Sequence, residues 1–87
     1  VKPSCYYCDI IFRLKKEFML PIFSYHVSGE YSMVKAASKK GWLDEKRCVQ
    51  EILLSLVRAG SSAIMTYYAL QVAKWLKEGA FADNYFK

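Results

Sequence analysis

The sequence has no long uncharged run. Its longest stretch free of Asp, Glu, Lys and Arg extends only from Ala59 to Ala73, and a helix needs about 20 apolar residues to cross a bilayer, so no membrane span is expected. No signal pattern stands at the N-terminus, and the first residue is Val1 rather than methionine, which reads as a fragment or a processed product. Histidine occurs once and cysteine three times, as Cys5, Cys8 and Cys48. An odd cysteine count without a framework of spacings argues against a disulfide scaffold and for reduced thiols in an intracellular setting. Cys5 and Cys8 form a CYYC, yet neither a second pair nor a histidine pair completes four ligands, so packed thiols at a helix start are favoured over a zinc or redox motif. Acidic residues are few: 8 Asp and Glu stand against 13 Lys and Arg, for a net charge of +5. The basic residues Lys15, Lys16, Lys39, Lys40, Lys46 and Arg47 fall on outer helical faces without interleaved stacking aromatics. That pattern describes solvated surface rather than a nucleic-acid interface.

What the 87 residues do have is apolar and aromatic side chain: 54% are hydrophobic, with seven Tyr, five Phe and two Trp. So short a chain supports only a modest core, and this much aromatic surface implies packing against protein that lies outside the chain.

Periodicity organises the rest. In CYYCDIIFRLKKEF, Ile10, Ile11, Leu14 and Phe18 fall on one helical face, with Arg13, Lys15, Lys16 and Glu17 on the other. Pro21 breaks that helix, and IFSYHV has the length and the β-branched and aromatic content of a buried strand. A helical stretch from about Tyr31 to Lys40 ends at Gly41. The next helix takes Asp44 as N-cap, carries apolar Val49, Ile52, Leu53, Leu56 and Val57, and stops at Gly60. SSAIMTYY reads as a second strand and ALQVAKWLKEG as a final helix ending at Gly79. Strands alternating with such helices predict βαβ crossovers and a parallel sheet with strands buried on both faces. Two and a half strands cannot shield themselves. The expected fold class is therefore α/β, most naturally the C-terminal fragment of a (β/α)8 TIM barrel, with a free-standing mixed α/β domain as the rival.

In such folds, reactive groups collect where strands end and loops turn into helices. Lys2 follows Val1 there, Ser28 follows the first full strand, and Tyr67 follows the second. An amine able to attack a carbonyl and two hydroxyl donors for an anionic group form a coherent set.

Three segments, VKPSCYYCD, YHVSGEYSM and IMTYYALQVAKWLKE, carry these residues. In that order they resemble the C-terminal third of the porphobilinogen synthase family, also called δ-aminolevulinic acid dehydratase. The likeness covers residues 1–78 and leaves 79–87 as a tail outside it. It implies a homo-octamer of (β/α)8 barrels that condenses two molecules of 5-aminolevulinate into porphobilinogen. It further implies that Lys2 forms a Schiff base with the substrate ketone, that Ser28 and Tyr67 bind that substrate's carboxylate, and that Tyr25 lies against the Schiff-base region. An amine of ordinary pKa is almost wholly protonated at neutral pH, so an imine-forming lysine needs burial or a second cation. The resemblance puts that cation, a second lysine, upstream of Val1, together with the zinc or magnesium ligands and the arginines for the other substrate. The metal is left open, and a cytoplasmic location is expected, with the plastid as the alternative compartment.

Other polar residues are read as structural. Tyr68 is expected in the core, on the opposite face from Tyr67. His26, the single histidine, alternates with Tyr25 and so points away from it, and Glu30 is expected to stabilise a helix start. Ser28 could also serve as an N-cap, though Tyr31 three positions on gives no capping box. Two positions depart from the family pattern: Ser4, where glycine or alanine is common, and Cys8, in place of a leucine. The alternative function, of a different class, is a small basic interaction module without catalysis.

Overall fold

A computed structural model describes residues 1–79; the tail 80–87 lies outside the described residues. After Val1 and Lys2, a 3-10 turn at Ser4–Tyr7 runs into helix α1 (Cys8–Phe18), followed by strand β1 (Phe23–His26) and helices α2 (Ser28–Lys39) and α3 (Glu45–Ala59). Strand β2 (Ala63–Thr66) and helix α4 (Ala69–Lys77) complete the order, which is the one the sequence predicts.

β1 and β2 pair in parallel, with Phe23 opposite Ala63 and His26 opposite Thr66. Val1 extends the sheet on the other side of β1. Its amino group donates to the Phe23 carbonyl at 2.8 Å and its own carbonyl accepts from the Tyr25 N–H at 2.8 Å. Bonds that straddle Ser24 in this way are the slanted pattern of a parallel pair. The chain thus holds the end of one strand beside two more, each joined to the next through helices, which is a piece of a (β/α)8 barrel.

α3 is the keel of this piece. Its Val49 and Leu53 pack with Val34 and Tyr68, while Leu56 packs with Ile11 and Ile22, and Ile52 and Ile64 touch both groups. Each fully buried aliphatic side chain contributes about 1.5–3 kcal/mol, so α3 anchors the layer to both strands. Its ends are set locally. The Asp44 carboxylate accepts the Arg47 N–H at 3.0 Å. At the other end Gly60, at φ +122°, donates its N–H to the Val57 carbonyl while Ser61 donates to that of Leu56, the paired bonds of a Schellman stop.

Four expectations need correction. α2 begins at Ser28 rather than Tyr31, because Glu30 accepts the Val27 N–H at 3.0 Å and secures the earlier start. Ser28 is therefore the first helical residue and Val27 the N-cap, so the capping role read for Ser28 is absent. α1 ends at Met19, whose φ of +52° turns the chain, before Pro21 is reached. On α1, Ile11 is buried but Phe18 is 58% exposed, since it closes the helix and overhangs the turn. Finally, the strands bury one face only: Ser24 and His26 are enclosed, whereas Phe23 is 56% and Met65 52% exposed. The open face is the one that further strands of a barrel would cover.

Candidate active site

The parallel register puts the carboxyl ends of the strands at one edge. Lys2 leaves Val1 there, Val27 and Ser28 leave β1, and Tyr67 leaves β2 one residue beyond the His26–Thr66 pair. Within β1, alternation sends Tyr25 to the open face and Ser24 and His26 to the helix side. Tyr25 and Tyr67, with Met65 and Thr66, line a hollow of about 290 Å³ on that open face. Each phenol stands near the other. A hydrogen bond to Tyr67 pushes the Tyr25 pKa up, with desolvation adding to it, because a hydroxyl that donates holds its proton more tightly. The Tyr67 ring in turn leans on Tyr31 of α2, with centroids 5.6 Å apart. Two of the four expected site residues therefore share one hollow. Lys2 and Ser28 stand exposed at the same edge but are not part of its lining.

The residues read as structural behave so. Tyr68 is 1% exposed, donates its hydroxyl to Glu45 at 2.7 Å and tilts against Tyr31 with centroids 4.7 Å apart. Burial first, and the Glu45 carboxylate second, push its pKa up. Glu30 is 4% exposed and accepts two backbone N–H groups, from Val27 and, at 2.9 Å, from Cys5. It thereby ties the segment after Lys2 to the start of α2. His26 is buried on the helix side, with Nδ1 2.9 Å from the Thr66 hydroxyl, and burial lowers its pKa. The same hydroxyl accepts the Tyr68 N–H at 3.1 Å. Thr66 thus orders both the turn that aims Tyr67 and the ring of His26, a role no motif in the sequence signalled. The Glu30 bridge was open to a sequence reading that started α2 at Ser28, where the glutamate falls at the third helical position.

The chain matches the family model described as delta-aminolevulinic acid dehydratase over residues 1–75. The chain belongs to that family. It is 58% identical to the delta-aminolevulinic acid dehydratase of Bacillus subtilis over 78 residues, 90% of this chain and 24% of that protein. It is 55% identical to the one from Synechococcus elongatus over 87% of this chain and 23% of that protein. The fold agrees with a crystal structure of the dehydratase from Toxoplasma gondii in complex with the reaction product porphobilinogen. That likeness has a TM-score of 0.84 and 49% identity, covering 86% of this chain and 21% of the other. The chain thus spans about a quarter of the length of the dehydratases it matches, and what it represents is a fragment of their barrel.

Proposed function

We propose that this chain is the C-terminal catalytic segment of a porphobilinogen synthase, which condenses two molecules of 5-aminolevulinate into porphobilinogen with loss of water, for haem and other tetrapyrroles. The observation that carries this reading is the family match across residues 1–75, which takes in the first two segments whole and the third from Ile64 to Trp75, with Lys2, Tyr25, Ser28 and Tyr67 among them. Lys2 supplies the amine: its nitrogen adds to the keto carbon of one 5-aminolevulinate, the carbonyl oxygen leaves as water, and an imine remains. Ser28 and Tyr67 hold the carboxylate of that same molecule. Support for the pair comes from chemistry at each position. Ser28 opens α2, where free N–H groups and the helix dipole favour an anion, and Tyr67 is an exposed phenol at the edge of the hollow. Tyr25, beside Tyr67 in that hollow, lies against the imine region.

The resident metal, zinc or magnesium, is held by ligands upstream of this chain, and the barrel assembles as a homo-octamer. The location read from the sequence is the cytoplasm with the plastid as alternative, and relatives described as chloroplastic, such as that of Physcomitrium patens, support the plastid. Borohydride reduction of a full-length protein carrying this segment, in the presence of 5-aminolevulinate, is expected to trap the substrate on Lys2. Peptide mapping that finds the adduct on other lysines alone would overturn the assignment.

A further inference from the structure

The helix side of β1 holds a cluster that the proposed reaction does not use. Sγ of Cys5, an imidazole nitrogen of His26 and a carboxylate oxygen of Glu30 all lie within 4.8 Å of one another. All three residues line a hollow of about 190 Å³, which Met33 and Ile52 help to close. His26 is 1% exposed, yet its Nε2 has no hydrogen-bond partner among the described residues.

Both tautomers of that ring leave the same problem. If Nδ1–H donates to Thr66, Nε2 presents a bare lone pair to the thiol and the carboxylate. If instead Thr66 donates to Nδ1, a buried Nε2–H goes without an acceptor, which costs about 1–3 kcal/mol. The first tautomer is the one that binds metals, and a hydroxyl holding the far nitrogen is the usual way a ligating histidine is oriented. A divalent cation would give the lone pair its partner.

Charge and ligand type select the ion. A thiolate and a carboxylate neutralise a divalent cation and the imidazole adds no charge, so the occupied site buries no net charge. Thiolate and imidazole favour zinc-type ions over magnesium or calcium, which take oxygen. Tetrahedral zinc at bond lengths of about 2.0–2.3 Å spaces its ligands roughly 3.3–3.8 Å apart, so the cluster needs to draw in by only about 1 Å.

We propose that Cys5, His26 and Glu30 bind one zinc-type divalent ion, with a fourth position left to water, and that this ion clasps the segment carrying Lys2 to the β1–α2 junction carrying Ser28. Cys5 lies three residues after Lys2, and His26 and Glu30 flank Ser28 on either side. Without metal the Cys5 thiol keeps its proton: burial, and then the Glu30 carboxylate, push its pKa up to about 12. On binding, the metal–sulfur bond forms as the S–H bond breaks, and the proton leaves to solvent. Cys8 takes no part, since its thiol points to the Ser4 carbonyl 3.8 Å away. The inference stands on this geometry and does not depend on the catalytic roles of Lys2, Ser28 or Tyr67.

The test uses a full-length protein carrying this segment, stripped by a chelator and reloaded with zinc, or with cobalt as a spectroscopic probe. The unmodified protein should bind one more ion per chain than Cys5→Ala or His26→Gln, with a thiolate-to-cobalt charge-transfer band that both variants lose and Cys8→Ala keeps. Equal metal content and equal bands in all four proteins would overturn the site. Should a variant fail to fold, alkylation of the unmodified protein decides: zinc is expected to protect Cys5 but not Cys8, as read by peptide mass, and equal labelling of Cys5 with and without zinc refutes the proposal.

Discussion

Tyr67 and Tyr68 are neighbours in sequence with opposite fates, and the difference is measurable. Tyr67 is exposed at the hollow and Tyr68 is enclosed, with its hydroxyl on Glu45. In a full-length protein, Tyr67→Phe should raise KM for 5-aminolevulinate by removing about 1–3 kcal/mol of charge-assisted bonding, with the unfolding midpoint little changed. Tyr68→Phe should do the reverse, lowering unfolding free energy by about 1–2 kcal/mol while steady-state kinetics hold. The carboxylate that Tyr68 meets also predicts a pH effect. Lys35, 2.7 Å away, lowers the Glu45 pKa from its ordinary 4.5; burial opposes this and the Tyr68 hydroxyl assists it. A depressed carboxyl pKa contributes stability that is complete above the unfolded value and is lost as the pH falls through the folded one. Urea midpoints taken at about pH 6 and about pH 3 should therefore differ less in Glu45→Gln than in the unmodified protein. Sequence alone separated the two tyrosines by strand alternation. It could not find Glu45 as the partner of Tyr68, because that contact joins α3 to the turn after β2 and leaves no local pattern.

Elements were legible where their ends carry local chemistry. Asp44 and Gly60 bound α3 because a carboxylate can take the Arg47 N–H and a glycine can sit at φ +122°. The Gly60 prediction follows from its surroundings: a Cβ there would come within 3.0 Å of Cβ and Cγ of Lys15 on α1. Gly60→Ala should lower stability by about 1–3 kcal/mol, from the left-handed backbone and that contact together, as read by thermal unfolding. Lys15→Ala in the same background should restore part of the loss by opening the space. α2 was misread at its start for a reason of the same kind. Its N-cap is Val27, which has no capping oxygen, and the stabilising group is Glu30, whose second bond goes to Cys5 in a different segment. A helix start secured by a tertiary contact is not visible as a cap in the sequence.

At the scale of the molecule, the decisive feature is a sheet with one covered face. Phe23, Met65 and Tyr67 are each more than half exposed on or beside its open side, and β2 has no strand beyond it among the described residues. Unpaired strand edges and contiguous apolar faces favour association. The isolated 87 residues are expected to form no porphobilinogen and to scatter light at micromolar concentration. Porphobilinogen formation by the purified chain alone would contradict this. The alternative of a basic interaction module gives way to the family match, and several basic side chains lie over aromatic rings of the chain itself, Lys40 on Trp42 and Lys46 on Trp75 among them.

By itself the sequence determined the order of helices and strands, the parallel pairing that follows from helical crossovers, and the edge on which Lys2, Ser28 and Tyr67 emerge. These depend on hydrophobic period and on residues close along the chain. Tertiary structure alone decided which face of β1 is covered, that Thr66 holds both His26 and the turn before Tyr68, and that Cys5, His26 and Glu30 meet. The contacts that decide them, Thr66 with His26 and Cys5 with His26 and Glu30, join residues about 20 to 40 positions apart, whose encounter is set by packing α2 and α3 across the sheet and not by any spacing that periodicity records.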